Sequence, residues 1–300
     1  MWANVTPVVQ NGVRVSVCGQ RWIDVGTLLA TARSRIVVCG LLVLMLAHCG
    51  VATKGPRRPL PLPSSKPTND LLSGPAVGTD IPPDVLGTLH VQTGNGTWRT
   101  IHWEKTSRSI GKPNDGSLVD GRAIPLEGPG WIHVGGNPFG TDETVLLVAW
   151  GVAEVGLRYP GTVPVVIGDL SAEFGGPLSP HNSHQSGRDA DIGYFAAGNR
   201  PLRRFQGMNA ESLDAEKTWY LLERLLLTGQ IQYLFIHYDL QKLLYDAAHD
   251  SGWHPQDLTS IFQYPNGKSS RTGIVRHSPG HADHFHVRFR CPAGDDECVP

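Results

Sequence analysis

His281-Ala-Asp-His-Phe-His-Val-Arg-Phe-Arg-Cys291 places three imidazoles in its first six residues and then continues in a pattern suited to a β-strand. Successive side chains leave a strand on opposite faces, so His284 and His286 share one face and His281 stands at the strand's mouth. Two neutral imidazoles converging from one face make half of a metal site, or a base beside a ligand. The reading therefore requires a second half elsewhere in the chain.

Of 13 histidines, six fall in two windows: His181 and His184 in one, His277, His281, His284 and His286 in the other. The earlier window, Ser179-Pro-His-Asn-Ser-His-Gln-Ser-Gly-Arg-Asp-Ala-Asp191, sets its imidazoles in a loop and its carboxylates at the start of a strand. Asp189 and Asp191 fall on one strand face, so spacing leaves open which of them binds a metal. One histidine and one carboxylate from this window, with one histidine from the last strand, form a two-nitrogen, one-oxygen set. That set leaves Zn²⁺ an open fourth position, as catalytic zinc requires. Asp169, Arg188 and Asp239 are available to orient imidazoles from behind, or to make ordinary surface pairs. A lone histidine usually has a hydrogen-bonding role, and His90, His102, His133, His237, His249 and His254 are read that way.

Outward from these windows, Thr141-Asp-Glu-Thr opens a helix that Val145 to Leu157 continue until Tyr159-Pro160-Gly161. Val163 to Ile167 reads as a buried strand and Asp189 to Phe195 as another. Asp214 caps a helix reaching Gly229, with Trp219, Leu222, Leu225 and Leu226 as its apolar stripe. Ile231 to His237 is a strand, Gln241 to Asp250 a helix, and Gln263 to Ser278 a polar loop. Val91 to Gly140 is rich in turn signals, among them Asn95-Gly96, Asp115-Gly116 and Asp120-Gly121, and suits short strands that form a lid or a wall. The expected fold is α+β, a mainly antiparallel central sheet with flanking helices.

The 300 residues, 40% of them apolar, are enough to bury a real core. Arg14, Arg21, Arg33 and Arg35 face Asp24 alone before Cys49, so with a net charge of −1 the remainder is mildly acidic. Nothing there attracts a polyanion, and nucleic acid is not an expected partner. The apolar run Ile36 to Ala47 is shorter than the ~20 residues that span a bilayer and matches the core of an export signal. Leu46-Ala-His-Cys49 resembles a lipobox with His48 at an atypical position, so lipidation of Cys49 and membrane attachment are expectations. Residues 1–35 precede the run, either through an over-called start or as a retained tail. The expected organisation is an extension with signal over 1–50, a Pro/Gly/Ser-rich linker over 51–85 and a folded domain over 86–300. In an oxidising compartment Cys291 and Cys298 close a short loop as a disulfide; their competing role is zinc ligation beside His284 and His286.

His184-x6-Asp191 followed by His284-x-His286 resembles the signature of the metallopeptidase group of lysostaphin, D-Ala-D-Ala peptidases and the hedgehog zinc domain. Longer matches are similar to the penicillin-insensitive murein endopeptidases. They are Ser109-Ile-Gly-Lys-Pro, Gly168-Asp-Leu-Ser, Gly175-Gly, His181-x-Ser-His-Gln-x-Gly-x-Asp-x-Asp191, and Gly280-His-x-Asp-His-Phe-His-Val-Arg-x-x-Cys-Pro292 with the spacing to Cys298. The resemblance implies that His184, Asp191 and His286 bind one Zn²⁺, that His284 is the catalytic base, and that His181 and His281 line the site. It also supports the Cys291–Cys298 disulfide. The implied substrate is a peptidoglycan cross-link, D-alanyl to meso-diaminopimelyl, cut by an exported, periplasmic enzyme. Two other readings use the same residues: a zinc D,D-carboxypeptidase trimming stem peptides, and a non-catalytic zinc-stabilised module that grips the cell wall.

Overall fold

The strand expected from the C-terminal histidine stretch forms over His284–Phe289 in the computed structural model, which describes residues 86–300 and a short ladder of Arg14–Val15 against Ile23–Asp24. The export run over 36–47, Cys49 and the linker over 51–85 lie outside the described residues. Among the described residues no helix is long and apolar enough to cross a membrane.

In chain order the domain holds β1 (Leu86–Gln92), β2 (Trp98–Glu104), β3 (Arg108–Lys112), β4 (Asp115–Val119), β5 (Arg122–Ala123), β6 (Glu127–Gly128), β7 (Trp131–His133) and β8 (Phe139–Gly140). Helix α1 (Asp142–Arg158), β9 (Val165–Ile167), β10 (Asp189–Gly193), α2 (Ala215–Leu227) and β11 (Ile231–Ile236) follow. Helices α3 (Tyr238–Asp250) and α4 (Pro255–Ile261), then β12 (Val275–His277) and β13 (His284–Phe289), complete it. Seven strands form one sheet in the order β12-β11-β13-β10-β9-β7-β6. Only β9 on β7 and β11 on β12 are parallel; the other pairings in this sheet are antiparallel. The fold is α+β with a mixed sheet.

Alternation in β10 and β13 divides this sheet into an apolar and a polar face. Ala190, Ile192, Phe285, Val287 and Phe289 are buried on one side with Leu234 and Ile236 of β11, in a core shared with Leu147 and Val148 of α1, Leu222 and Leu225 of α2, and Leu244 of α3. Fully burying a side chain such as Phe285 is worth about 1.5–3 kcal/mol, so register is strongly fixed: a one-residue slip would exchange the faces. The other side presents Asp189, Asp191, His284, His286 and Arg288.

Helix starts follow local chemistry. Thr141 caps α1 through its side chain, which accepts from the Thr144 N–H, and Asp214 caps α2 by accepting from the Lys217 N–H. Helix α3 begins three residues before the expected Gln241, because His277 Nδ1 accepts the Tyr238 N–H at 3.1 Å and so satisfies one orphan donor of the first turn. The stretch expected as a loop over 263–278 contains β12, and α4 precedes it with Pro255 in its first turn. Asn95-Gly96 does turn the β1–β2 hairpin, with Gly96 at φ 86°. In the next hairpin Asp115 and Gly116 already pair with Lys112 and Gly111, so Pro113-Asn114 makes the turn instead. That β3–β4 hairpin is a wall. The Leu118 N–H donates to the Phe174 carbonyl, the Gln185 N–H to Pro113 and the Gly176 N–H to Gly116, which holds the histidine-bearing loop in place.

Candidate metal centre

Strand pairing brings the two histidine windows together. In the β10–β13 ladder Asp191 stands directly opposite His286, Gly193 opposite His284, and Asp189 opposite Arg288. His184 reaches the same face from the loop before β10, in a left-handed backbone conformation (φ 69°) held by its N–H donating to Asp189 Oδ2 at 2.9 Å.

Three buried atoms converge. His184 Nε2 lies 3.2 Å from His286 Nδ1, and Asp191 Oδ1 lies 3.3 Å from each. Ligands about 2.0–2.1 Å from a tetrahedral Zn²⁺ stand about 3.3 Å apart, so this triangle has the dimensions such an ion requires. His184 Nδ1 is 2.5 Å from the Leu170 carbonyl oxygen; donating a hydrogen there leaves Nε2 with its lone pair free. Asp189 Oδ1 stands 3.1 Å from His286 Nε2, though poorly aligned to accept its hydrogen. Asp191 Oδ1 is buried with no hydrogen-bond donor. A buried carboxylate oxygen with no donor, set among imidazole nitrogens, is a donor set that fits a divalent cation.

The field agrees. Burial alone would lower the His286 pKa, yet the charges and contacts of Asp189 and Asp191 push it up to about 9. Burial likewise would raise Asp191, but the His184 and His286 contacts hold it well below the usual carboxylate range.

His181, His184 and Asp191 also offer atoms within 4.8 Å of one another, a second possible ligand set. The set with His286 is tighter. His181 Nε2 is engaged by Asp169 Oδ2 at 3.1 Å, and its Nδ1 comes only to 3.7 Å from Asp191 Oδ2. The Asp169 hydrogen bond outweighs burial and raises the His181 pKa, while Asp169 itself falls to about 2. Asn137 steadies Asp169 through its backbone and side-chain N–H groups.

His284 Nε2 points to the same place, 3.7 Å from Asp191 Oδ1, and its Nδ1 is 2.7 Å from Asp283 Oδ1. His281 lies beside it, with ring centroids 4.8 Å apart, and burial lowers its pKa to about 4. The six site residues expected from sequence thus surround one point. His277 does not join them: it serves the start of α3. Asp169 does orient an imidazole. Arg188 instead donates to the carbonyls of Phe289 and Val299, and Asp239 stands near His237 and Lys268 at the surface.

Cys291 and Cys298 form a disulfide, so neither is a ligand. Two contributors had escaped the sequence reading. Asp283 carries a signal, a carboxylate adjacent to the histidine it contacts; Phe205, whose ring lies on His284, carries none.

Residues 109–300 match the family model for penicillin-insensitive murein endopeptidase. A protein of that name from Klebsiella pneumoniae subsp. pneumoniae is 29% identical over 237 residues, covering 71% of this chain and 80% of the relative. Its namesake from Pectobacterium atrosepticum is 26% identical over 226 residues, covering 67% and 73%. The one from Haemophilus influenzae is 24% identical over 233 residues, covering 66% and 72%. With a buried His/Asp/His triangle lying inside the matched segment, the chain belongs to the penicillin-insensitive murein endopeptidase family.

Proposed function

We propose that the chain is a zinc-dependent peptidoglycan endopeptidase that hydrolyses the D-alanyl to meso-diaminopimelyl amide of murein cross-links. The observation that carries zinc dependence is the triangle of His184 Nε2, Asp191 Oδ1 and His286 Nδ1 around an orphaned carboxylate oxygen. These residues would hold one Zn²⁺, which when bound supplies a Lewis acid and a nucleophilic water at neutral pH. One carboxylate with two neutral imidazoles leaves the site a net positive charge.

The remaining steps belong to side chains. His284, with Nε2 turned to the triangle and Nδ1 on Asp283, takes the proton of the attacking water and passes it to the departing amine. His181 is the stronger candidate to steady negative charge developing on the carbonyl oxygen, because Asp169 favours its cationic form. His281 is held neutral and its Nδ1 faces the Pro279 carbonyl, which suits it to line the site. No serine nucleophile takes part, so an agent that acylates serine finds no target.

Retention of a carboxylate-backed His284 beside the triangle favours catalysis over a purely structural zinc module. The export run over 36–47 and the lipobox-like Cys49 support a periplasmic, membrane-attached enzyme, with residues 86–300 as the catalytic domain. The test is digestion of purified cross-linked sacculi by the full chain, with and without chelator, beside His284→Ala. Loss of cross-linked muropeptide dimers, blocked by chelator and by the substitution, is expected. Release of terminal D-Ala alone would establish a carboxypeptidase, and persistence of dimers with zinc bound would leave only the binding module.

A further inference from the structure

The loop after β10 carries an aromatic ring, Phe205, that packs against the edge of the core and also lies on the site. Phe205 lies flat on His284, with centroids 4.7 Å apart and planes 17° apart, whereas the other aromatic contacts of the site are tilted or edge-on. The fold leaves a socket for this ring. A Cβ on Gly168, just past β9, would meet Phe205 Cζ at 2.5 Å, and one on Gly193, ending β10, would meet its Cδ1 at 3.3 Å. Glycine at 168 leaves the space that the phenyl ring fills, and glycine at 193 spares it a second tight contact.

The loop is tied down on either side of Phe205. Leu202 and Met208 are buried, and the Met208 N–H donates to the carbonyl of Ala282, two residues before His284. Arg200 Nη1 donates to Gln206 Oε1 at 2.8 Å and closes the turn. The ring is therefore fixed relative to the strand that carries His284.

An imidazole joined at Nδ1 to Asp283 can still swing about its Cβ–Cγ bond, because a single contact to a half-buried carboxylate constrains a ring weakly. A flat aromatic face on one side removes that freedom, and offset stacking suits aromatic pairs at this separation. We propose that Phe205 is a positioning residue for His284, holding the imidazole plane so that Nε2 stays on the Asp191 side while Nδ1 stays on Asp283. The proposal rests on the proton-handling role given to His284 above.

Two measurements separate this role from a general packing role. The first is the proton chemical shift of His284 Cε1–H, which a stacked ring moves upfield by its ring current. The upfield displacement should vanish in Phe205→Leu, which keeps the apolar volume, and persist in Phe205→Tyr, which keeps the flat face. The second is turnover on cross-linked muropeptide. Phe205→Leu should lose about 10- to 100-fold in kcat with KM changed less than about threefold and zinc content unchanged, and Phe205→Tyr should recover most of it. Adding Phe205→Leu to His284→Ala should cost nothing further. A shift unchanged in Phe205→Leu overturns the geometry. A normal kcat in that variant, or a loss that adds fully to that of His284→Ala, overturns the positioning role. Should the parent chain not cleave cross-links, the function proposed above fails, while the shift measurement still decides the geometry.

Discussion

Asp189 and Asp191 are the same residue type on the same strand face, two positions apart, and their surroundings give them different work. Asp189 accepts from Arg288 Nε at 2.8 Å, from Arg288 Nη2 at 3.2 Å and from the His184 backbone at 2.9 Å, which commits three of its roughly four lone-pair sites to protein donors. Asp191 Oδ1 has no donor at all. Asp191→Asn should therefore abolish stoichiometric zinc binding, measured by elemental analysis after dialysis. Asp189→Asn should retain zinc with affinity weakened about 10- to 100-fold, as expected of a residue that supports a ligand. It should also lose stability on the order of 3 kcal/mol, because Arg288 would face the buried site unpaired. Zinc lost only in the Asp189 variant would reverse the assignment.

At the scale of single elements, the first turn of α1 carries a carboxyl in an unfavourable place. Asp142 is well served: its Oδ2 accepts the N–H groups of Thr106 and Ser107, and its Oδ1 lies 2.8 Å from Arg122 Nε. Glu143, its neighbour, lines a cavity of about 300 Å³ with Trp103 and Trp150, and its Oε2 is buried without a partner. Burial pushes its pKa up to about 7. A folded-state pKa above the unfolded value of 4.5 means that the folded chain binds the proton more tightly. The stabilising effect is full below about pH 4.5 and disappears as pH rises through about 7. Glu143→Gln cannot ionise, so its melting temperature should exceed that of the parent increasingly between pH 5 and pH 8, by the equivalent of up to about 3 kcal/mol. Parallel melting curves across that range would show that the carboxyl finds solvent.

On the scale of the whole molecule, the strand bearing His284 and His286 is held at its far end by the C-terminal tail. Arg188 spans the Phe289 and Val299 carbonyls, Gly111 of β3 exchanges hydrogen bonds with Glu297 and Val299, and the disulfide closes residues 291–298. Chain entropy for a loop of that length corresponds to about 2.5 kcal/mol. The Cys291→Ser, Cys298→Ser double variant should lose roughly that much in urea unfolding and keep its zinc, since neither sulfur is a ligand. Zinc lost in proportion to the sulfurs would contradict the ligand set.

Local periodicity and capping were enough for the strand at the last histidines, for α1 behind Thr141 and α2 behind Asp214, and for the α+β class, because each depends on side chains near in sequence. The motifs of the two histidine windows were long enough to identify the family. Spacing could not distinguish Asp189 from Asp191, since both project from the same face; their partners, Arg288 and the His184 backbone on one side and bare imidazoles on the other, come from 99 and 5 residues away and elsewhere in the fold. The early start of α3 at Tyr238 depends on His277, 39 residues later. The seat of Phe205 depends on Gly168, 37 residues earlier at the end of another strand. The chain's order of residues determined which groups were available for the metal and its chemistry. Tertiary structure alone decided which of their atoms were left without a partner, because that depends on the summed contacts of segments that meet only in the fold.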